Sequence, residues 1–175
     1  MATYRSNIYG VTIRPDSRDC GGVVTAAGCL TIPTGKVIAT GDVLKLFKVG
    51  SGGHVRNVWF QNTDFGTDAP GTFGHFGVDD GLAIDADSII ADIVLETAAD
   101  RNFENYASDL TSAGSNFATP FATLTEDASF EIVVGTVDTG AAGSIRFAVE
   151  VVFFGTNSPY AYDWNGEAAL GAAST

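Results

Sequence analysis

The clearest pattern in this sequence is an alternation of apolar and polar positions near its C-terminal end. Over residues 144–154, β-branched and aromatic side chains fill every second position, which is typical of a strand with one buried face. These side chains are Ile145, Phe147, Val149, Val151 and Phe153. Residues 129–134 alternate in the same way, and the link between the two segments holds three glycines. Glycine supplies the positive-φ positions of a hairpin loop, so the sequence predicts an antiparallel hairpin here.

Several shorter segments also predict strands. Residues 7–13, 42–49, 54–62 and 72–78 are rich in strand-forming residues, and 23–33 is weakly strand-like. The glycine-rich link after Val49 predicts that 42–49 and 54–62 pair as a second hairpin. A strict period of two in the latter would put Arg56, Val58 and Phe60 on one face and Trp59 on the other.

One segment departs from the strand pattern. Ile89, Ile90, Ile93 and Val94 have helical spacing, and Asp85 or Asp87 could cap a first turn. We therefore expect one short helix near 86–95. Residues 98–127 read as irregular, with aromatic side chains as anchors to the core. These anchors are Phe103, Tyr106, Phe117 and Phe121.

Together the segments predict an all-β fold: an antiparallel β-sandwich of jelly-roll type with one short helix and extended N- and C-terminal arms. We expect an N-terminal arm and first strands over 1–35, a β-sandwich domain over 36–155 and a C-terminal tail or arm over 156–175. The composition fits, since 45% of the 175 residues are hydrophobic and there are 21 glycines and 12 phenylalanines.

Charge is distributed unevenly along the chain. The formal net charge is −12, yet residues 1–56 carry a balance of +4 and residues 57–175 a balance of −16. A solvated acidic surface explains these numbers, and so does a contact in which the basic segment meets an acidic surface of a partner or of another copy. Nucleic acid is disfavoured as a partner, because phosphate binding needs clustered cations.

The sequence contains no constellation typical of an enzyme. The only histidines are His54 and His75, and no nucleophile, metalloprotease or phosphate-loop motif is present. We expect no catalytic residues, no cofactor and no metal site. The acidic residues between Asp79 and Asp92 could bind Ca²⁺, but helix capping and solubility account for them equally well. Cys20 and Cys29 could form a disulfide, although a cytoplasmic origin favours two reduced thiols.

The first residues lack the apolar core of a secretion signal, and no apolar run reaches the length of a membrane helix. We therefore expect a soluble protein made in the cytoplasm, with no membrane partner. The C-terminal tail holds aromatic residues in a segment that cannot form its own core. These side chains either pack back on the parent sheet or form an arm on a neighbouring subunit, and we favour the arm. The candidate contact residues are then three arginines and three tail aromatics: Arg5, Arg14, Arg18, Tyr160, Tyr162 and Trp164.

The order of elements resembles that of the capsid decoration, or cement, proteins of tailed bacteriophages. The resembling segments are GDVLKLFKVGSGGHVRNVWFQNTD (41–64), IDADSIIADIVL (84–95) and EDASFEIVVGTVDTGAAGSIRFAVEVVFF (126–154). In similar phage proteins a strand pair is followed by a D-A-D helix and a hairpin with a loop rich in Thr, Ala and Gly. The likeness spans residues 36–154 and depends on pattern more than on invariant residues.

The resemblance implies a non-enzymatic protein, made in the host bacterial cytoplasm, that binds the outer surface of the phage head. Its partners would be the major capsid protein and other copies of itself, as a homotrimer or else a dimer. A hydrolase ranks last among the alternatives, and two others come before it. One is another virion component, such as a tail or head-fibre base protein. The other is a carbohydrate-binding β-sandwich, in which Trp59, Trp164 or Tyr162 would stack on sugar rings.

Overall fold

The computed structural model describes residues 1–14, 22–78, 81–104, 124 and 126–153. Within these ranges the chain forms β-strands and no helix. The strands are β1 (Thr3–Arg5), β2 (Thr12–Ile13), β3 (Val23–Thr31), β4 (Val43–Val49), β5 (Gly53–Asn62), β6 (Gly66–Thr67), β7 (Pro70–Gly77), β8 (Ala83–Val94), β9 (Ala99–Glu104), β10 (Ala128–Val134), β11 (Thr139–Gly140) and β12 (Ser144–Phe153). The predicted all-β class is therefore confirmed.

Two sheets contain most of these strands. Sheet A has the order β1-β4-β10-β7-β8, with β2 also pairing with β4, and sheet B has the order β3-β12-β5-β9. The pairings are antiparallel except those of β1 and β2, which run parallel to β4. A separate two-stranded ribbon joins β6 and β11.

The core lies between the two sheets and is rich in phenylalanine. The rings of Phe47 in β4 and Phe130 in β10 stack within sheet A, with centres 4.8 Å apart. Phe147 of sheet B lies 5.6 Å from Phe47, and Phe60 of sheet B lies 6.2 Å from Phe73 of sheet A. Burial of the inward faces is thus what holds the two sheets together.

The predicted buried face of β12 is confirmed. Its five apolar positions are at most 5% exposed, whereas the half-exposed or exposed positions between them include Arg146 and Glu150. The hairpin predicted for this strand is wrong. β10 pairs with β4 and β7 in sheet A, while β12 pairs with β3 and β5 in sheet B. The link between them therefore carries the chain from one sheet to the other.

The second predicted hairpin is wrong for the same reason, since β4 belongs to sheet A and β5 to sheet B. The chain turns this corner in three residues, with Gly52 at a φ of 81°. A Cβ on Gly53 would lie 2.6 Å from the Val49 side chain and 3.0 Å from the ring of Phe153. Only glycine permits so close an approach, so these glycines serve a sheet-to-sheet corner and not a hairpin.

A β-bulge corrects the predicted faces of β5. Opposite β12 the register shifts so that Glu150 faces Asn57 and Val151 faces Val55, which leaves Arg56 as an extra residue. A bulge resets the alternation of a strand. Val55, Val58 and Phe60 are consequently all buried, whereas Arg56 is exposed instead of sharing the face of Val58 and Phe60.

The helix predicted near 86–95 is also wrong, because the segment lies in the edge strand β8. Between the pairs Phe73–Ile90 and His75–Asp85, one residue of β7 faces four of β8. That residue is Gly74, where a Cβ would lie 2.2 Å from the backbone of Ala86. The large bulge spaces the apolar positions of β8 unevenly, which imitates a helical period in the sequence.

The strand predicted over 7–13 is wrong except at Thr12–Ile13, because residues 7–10 form a turn and β1 lies before it; the weak strand predicted over 23–33 is β3. The N-terminal residues lie along β4, where the buried side chain of Asp42 accepts hydrogen bonds from the backbone N–H groups of Ala2 (2.5 Å) and Ala39 (3.0 Å). β3 forms an edge of sheet B beside β12.

Of the residues predicted to lie irregularly, 99–104 form β9 and Phe103 is buried in the core. Tyr106, Phe117 and Phe121 lie outside the described residues.

Candidate contact surface

A cluster of cations surrounds Tyr9 on the outer face of sheet A. The turn after β1 places the tyrosine over β4 and β10, where its hydroxyl lies 2.9 Å from Ser129 Oγ. The cations lie between 5.3 and 5.6 Å from the centre of the tyrosine ring, within the range of cation–π attraction. They are Arg5, Lys45 and Lys48, which we call the Tyr9 cluster.

A buried carboxylate connects this cluster to the sheet. Glu131 is 4% exposed, and its Oε1 accepts hydrogen bonds from Lys45 Nζ at 2.7 Å and from Ser129 Oγ at 2.5 Å. Burial alone would lower the pKa of Lys45, but its hydrogen bond to Glu131 and the charge of that carboxylate outweigh burial and raise the pKa above its usual value. Lys45 is therefore held as a cation with its partner.

Within the described ranges, the other two cations have no such partner. Among the described residues, no carboxylate forms an ion pair with Arg5 or Lys48. Arg5 is exposed and Lys48 is half-buried. In a chain with a net charge of −12, two unneutralised cations beside an aromatic ring make this face the most basic part of sheet A that the structure describes.

The predicted contact residues divide into three groups. Arg5 belongs to the Tyr9 cluster. Arg14 instead forms a salt bridge with Asp127, whose second oxygen accepts the backbone N–H of Ser51 at 3.0 Å. Arg18 and the three tail aromatics lie outside the described residues. Sequence reasoning counted Lys45 and Lys48 among the bases but did not select them, and it did not select Tyr9, because only pairing of β1 with β4 brings them together.

Carboxylates gather at the opposite edge of sheet A. An open hollow of about 410 Å³ near the end of β8 is lined by Pro70, Val94 and Thr136 together with four acidic residues. These are Asp68, Asp92, Glu96 and Asp138. The uneven charge of the sequence thus becomes a spatial asymmetry, with cations around β1 and β4 and carboxylates around β7 and β8.

The acidic segment considered for Ca²⁺ is only partly described, since Asp79 and Asp80 fall in a gap. Asp85 and Asp87 lie two residues apart in β8. Burial and then the neighbouring Asp87 carboxyl raise the pKa of Asp85, although a backbone hydrogen bond from Asp87 opposes the rise. Across the described ranges no three histidine, cysteine or acidic side chains are placed to hold a metal ion.

Two further expectations concern the cysteines and membranes. Cys29 is half-buried, and its Sγ lies 3.9 Å from Thr31 Oγ1. Cys20 lies outside the described residues, so the redox state of the pair stays a prediction. In the part of the chain that the structure describes, no helix is long and apolar enough to span a membrane.

Comparison with known proteins finds similar structures but no related sequences. No protein-family description and no curated protein match the sequence. The fold is similar to a chain of the capsid of Ralstonia phage GP4, with a TM-score of 0.63 and 16% identity over 86% of this chain and 97% of that one. A chain of the cyanophage Pam1 capsid asymmetric unit matches at a TM-score of 0.48 and 19% identity, over 82% of this chain and 93% of that one. The first likeness shows that this chain shares the fold of a phage capsid component.

Proposed function

We propose that this protein is a structural component of a phage virion, and specifically a capsid decoration protein that binds the outer surface of the head and stabilises contacts between capsomers of the major capsid protein. The observation that carries the proposal is the likeness to a chain of the Ralstonia phage GP4 capsid, which extends over 97% of that chain. Because the likeness covers nearly all of that chain, the two proteins share a whole fold and not only a common substructure.

The surface supports a role in binding. A decoration protein acts through surfaces that match its neighbours, and the Tyr9 cluster and the acidic hollow give sheet A two oppositely charged edges. Such charges steer association and fix the register between partners. Arg5 and Lys48 are suited to a carboxylate-bearing partner, because no described carboxylate neutralises them.

Self-association would strengthen attachment. Several weak contacts held in one oligomer bind far more tightly than any one of them, provided that the geometry allows simultaneous engagement. We therefore propose a homotrimer, with a dimer as the alternative, in which the tail residues Tyr160, Tyr162 and Trp164 and the arginines Arg5, Arg14 and Arg18 contact neighbouring copies or the shell. The protein would be made in the bacterial cytoplasm and reside on the capsid surface.

Co-sedimentation tests the proposal directly. The purified protein is sized by light scattering and then mixed with capsids that lack decoration, assembled from the major capsid protein of the same genome. An oligomer that sediments with the shells is expected, with weaker binding at high salt, since exposed charges are screened. A monomer that stays in the supernatant at all salt concentrations would refute the decoration role.

Two variants assign the contact. Arg5→Glu combined with Lys48→Glu should reduce sedimentation with capsids, whereas Lys36→Glu, an exposed charge reversal in a loop, should leave it unchanged. Deleting residues 156–175 should weaken capsid binding while preserving the circular dichroism of the sandwich. Unchanged binding of the truncated protein would dismiss the tail as an arm, and unchanged binding of the double reversal would dismiss the Tyr9 cluster.

A further inference from the structure

The outer face of sheet B carries two rows of side chains that lie across its strands. In the first row, Arg146 of β12 faces Gln61 of β5, and Gln61 faces Asp100 of β9. In the second row, Ala148 faces Trp59, and Trp59 faces Asn102. Neighbouring strands are about 4.8 Å apart, and positions two residues apart along a strand are about 6.7 Å apart. The two rows therefore cover an area of the size of one or two sugar rings.

Trp59 dominates this face. Its side chain is 43% exposed, although a tryptophan in a sheet usually buries most of its surface. Its neighbour on β12, Ala148, is too small to cover the indole. A hollow of about 310 Å³ adjoins the indole, and a second of about 440 Å³ lies beside it. Gln61, Asp100 and Arg146 line both hollows, so this polar row lies between them.

The polar side chains of this row are available for a ligand. Gln61, Asp100 and Arg146 are exposed, and neither Asp100 nor Arg146 forms an ion pair with a described residue. The neighbouring Arg101 is committed elsewhere, because its guanidinium donates to Asn62 Oδ1 at 2.5 Å and to the carbonyl of Val94 at 2.6 Å. Those two hydrogen bonds fix the position of β9, and Asp100 of β9 lines both hollows.

We propose that this face binds an oligosaccharide through Trp59, Gln61, Asp100 and Arg146. The electron-rich face of an indole attracts the partly positive C–H groups on one side of a pyranose ring. The hydroxyls at the rim of such a ring both donate and accept hydrogen bonds, and the next row offers a carboxylate acceptor, a guanidinium donor and an amide that does both. A few polar groups placed around one aromatic platform are what orients a small ligand in a binding site.

A protein partner fits this face less well. Asp and Ala are depleted in protein interfaces, whereas Ala148 lies beside Trp59 and Asp100 lies in the next row. A nucleic acid is opposed by the net charge of −12. The saccharide site goes beyond the proposed decoration role, because it lies on sheet B while the charged edges lie on sheet A.

A microarray of bacterial lipopolysaccharide O-antigens and capsular polysaccharides tests the site, with the full-length protein as probe. The wild type is expected to bind at least one neutral or acidic glycan, and Trp59→Ala to weaken that binding about tenfold or more. Trp59→Tyr should retain part of it, since a smaller aromatic platform remains. Val37→Ala, at an exposed apolar position in a loop, serves as the matched control and should bind like the wild type.

Three results would overturn the proposal. The first is a wild-type protein that binds no glycan on the array. The second is glycan binding that survives in Trp59→Ala but is lost when residues 156–175 are deleted, which would assign it to the tail aromatics. The third is a folded Trp59→Ala protein that no longer sediments with capsids, which would make this face a capsid contact. Because sedimentation and glycan binding are read separately, failure of the saccharide site leaves the decoration role to its own test.

Discussion

The ring of Phe147, in sheet B, packs against a ring of sheet A, so its replacement by alanine tests the arrangement of the two sheets. The side chain is 5% exposed, and its ring lies 5.6 Å from Phe47 across the core. It also lies directly over Gly28 on the neighbouring strand, where even a Cβ would come within 2.7 Å of the ring. Glycine has no side chain that could move into the vacated space, so Phe147→Ala should leave a cavity and destabilise the fold by about 3–5 kcal/mol.

Urea unfolding followed by far-UV circular dichroism measures this change, and the linear dependence on denaturant gives the free energy of unfolding. Val152→Ala is the matched control, because Val152 lies on the opposite, half-exposed face of the same strand. It should cost less than about 1 kcal/mol. A loss below about 1 kcal/mol for Phe147→Ala would refute the assignment of a buried inner face to β12.

A double-mutant cycle with Phe47→Ala tests whether the two sheets meet at this point. Contacting aromatic rings are expected to couple by about 0.5–1.5 kcal/mol beyond the sum of the single changes. A hairpin between β10 and β12 would place the strands side by side in one sheet and would not require this contact across the core. Strict additivity of the two substitutions would therefore contradict the arrangement in two sheets.

Three further substitutions test other contacts by the same unfolding assay. Gly74→Ala should destabilise by more than about 2 kcal/mol, because its Cβ would meet the backbone of Ala86 at 2.2 Å and displace the bulge of β8; a neutral effect would contradict the bulge. Glu131→Gln should cost about 1–3 kcal/mol, since it removes the charge that is bonded to Lys45 in a nearly dry site, and an unchanged stability would show that the pair contributes nothing. Burial lowers the pKa of His75 below its usual 6.5, so the folded state resists protonation more than the unfolded state does, and stability should fall as the pH drops below about 6.5. His75→Asn should lose less stability over that interval, and an identical pH dependence would exclude His75 as the source.

Much of the secondary structure could be predicted from the sequence. Where a strand pairs regularly on both sides, as β12 does over most of its length, its side chains alternate strictly and the period of two reveals the buried face. The period is lost where the register shifts. Arg56 in β5 and the segment 86–89 in β8 lie at such bulges, and these positions produced the wrong face and the wrong helix.

Of the candidate contact surface, the sequence predicts only that cations concentrate in one part of the chain. The sequence places most of its cations in the first third of the chain, and this favours a basic region on composition alone. It does not reveal that Arg5 and Lys48 meet around Tyr9, since that depends on a parallel pairing between β1 and β4. The sequence favours Trp59 as a candidate sugar platform, but Asp100 and Arg146 come from strands far from it in the chain, and only the pairing of β5 with β9 and β12 places them beside Gln61.

The sequence by itself determined that this chain forms strands with one buried face, because alternation is a local property that each segment carries alone. Only the tertiary structure decided which strands are neighbours. A short glycine-rich link between two apolar strands can close a hairpin within one sheet or carry the chain across to the facing sheet, and both solutions bury the same side chains. The choice depends on how the inner faces of all the strands fill one core, as Phe47 and Phe147 do from opposite sheets.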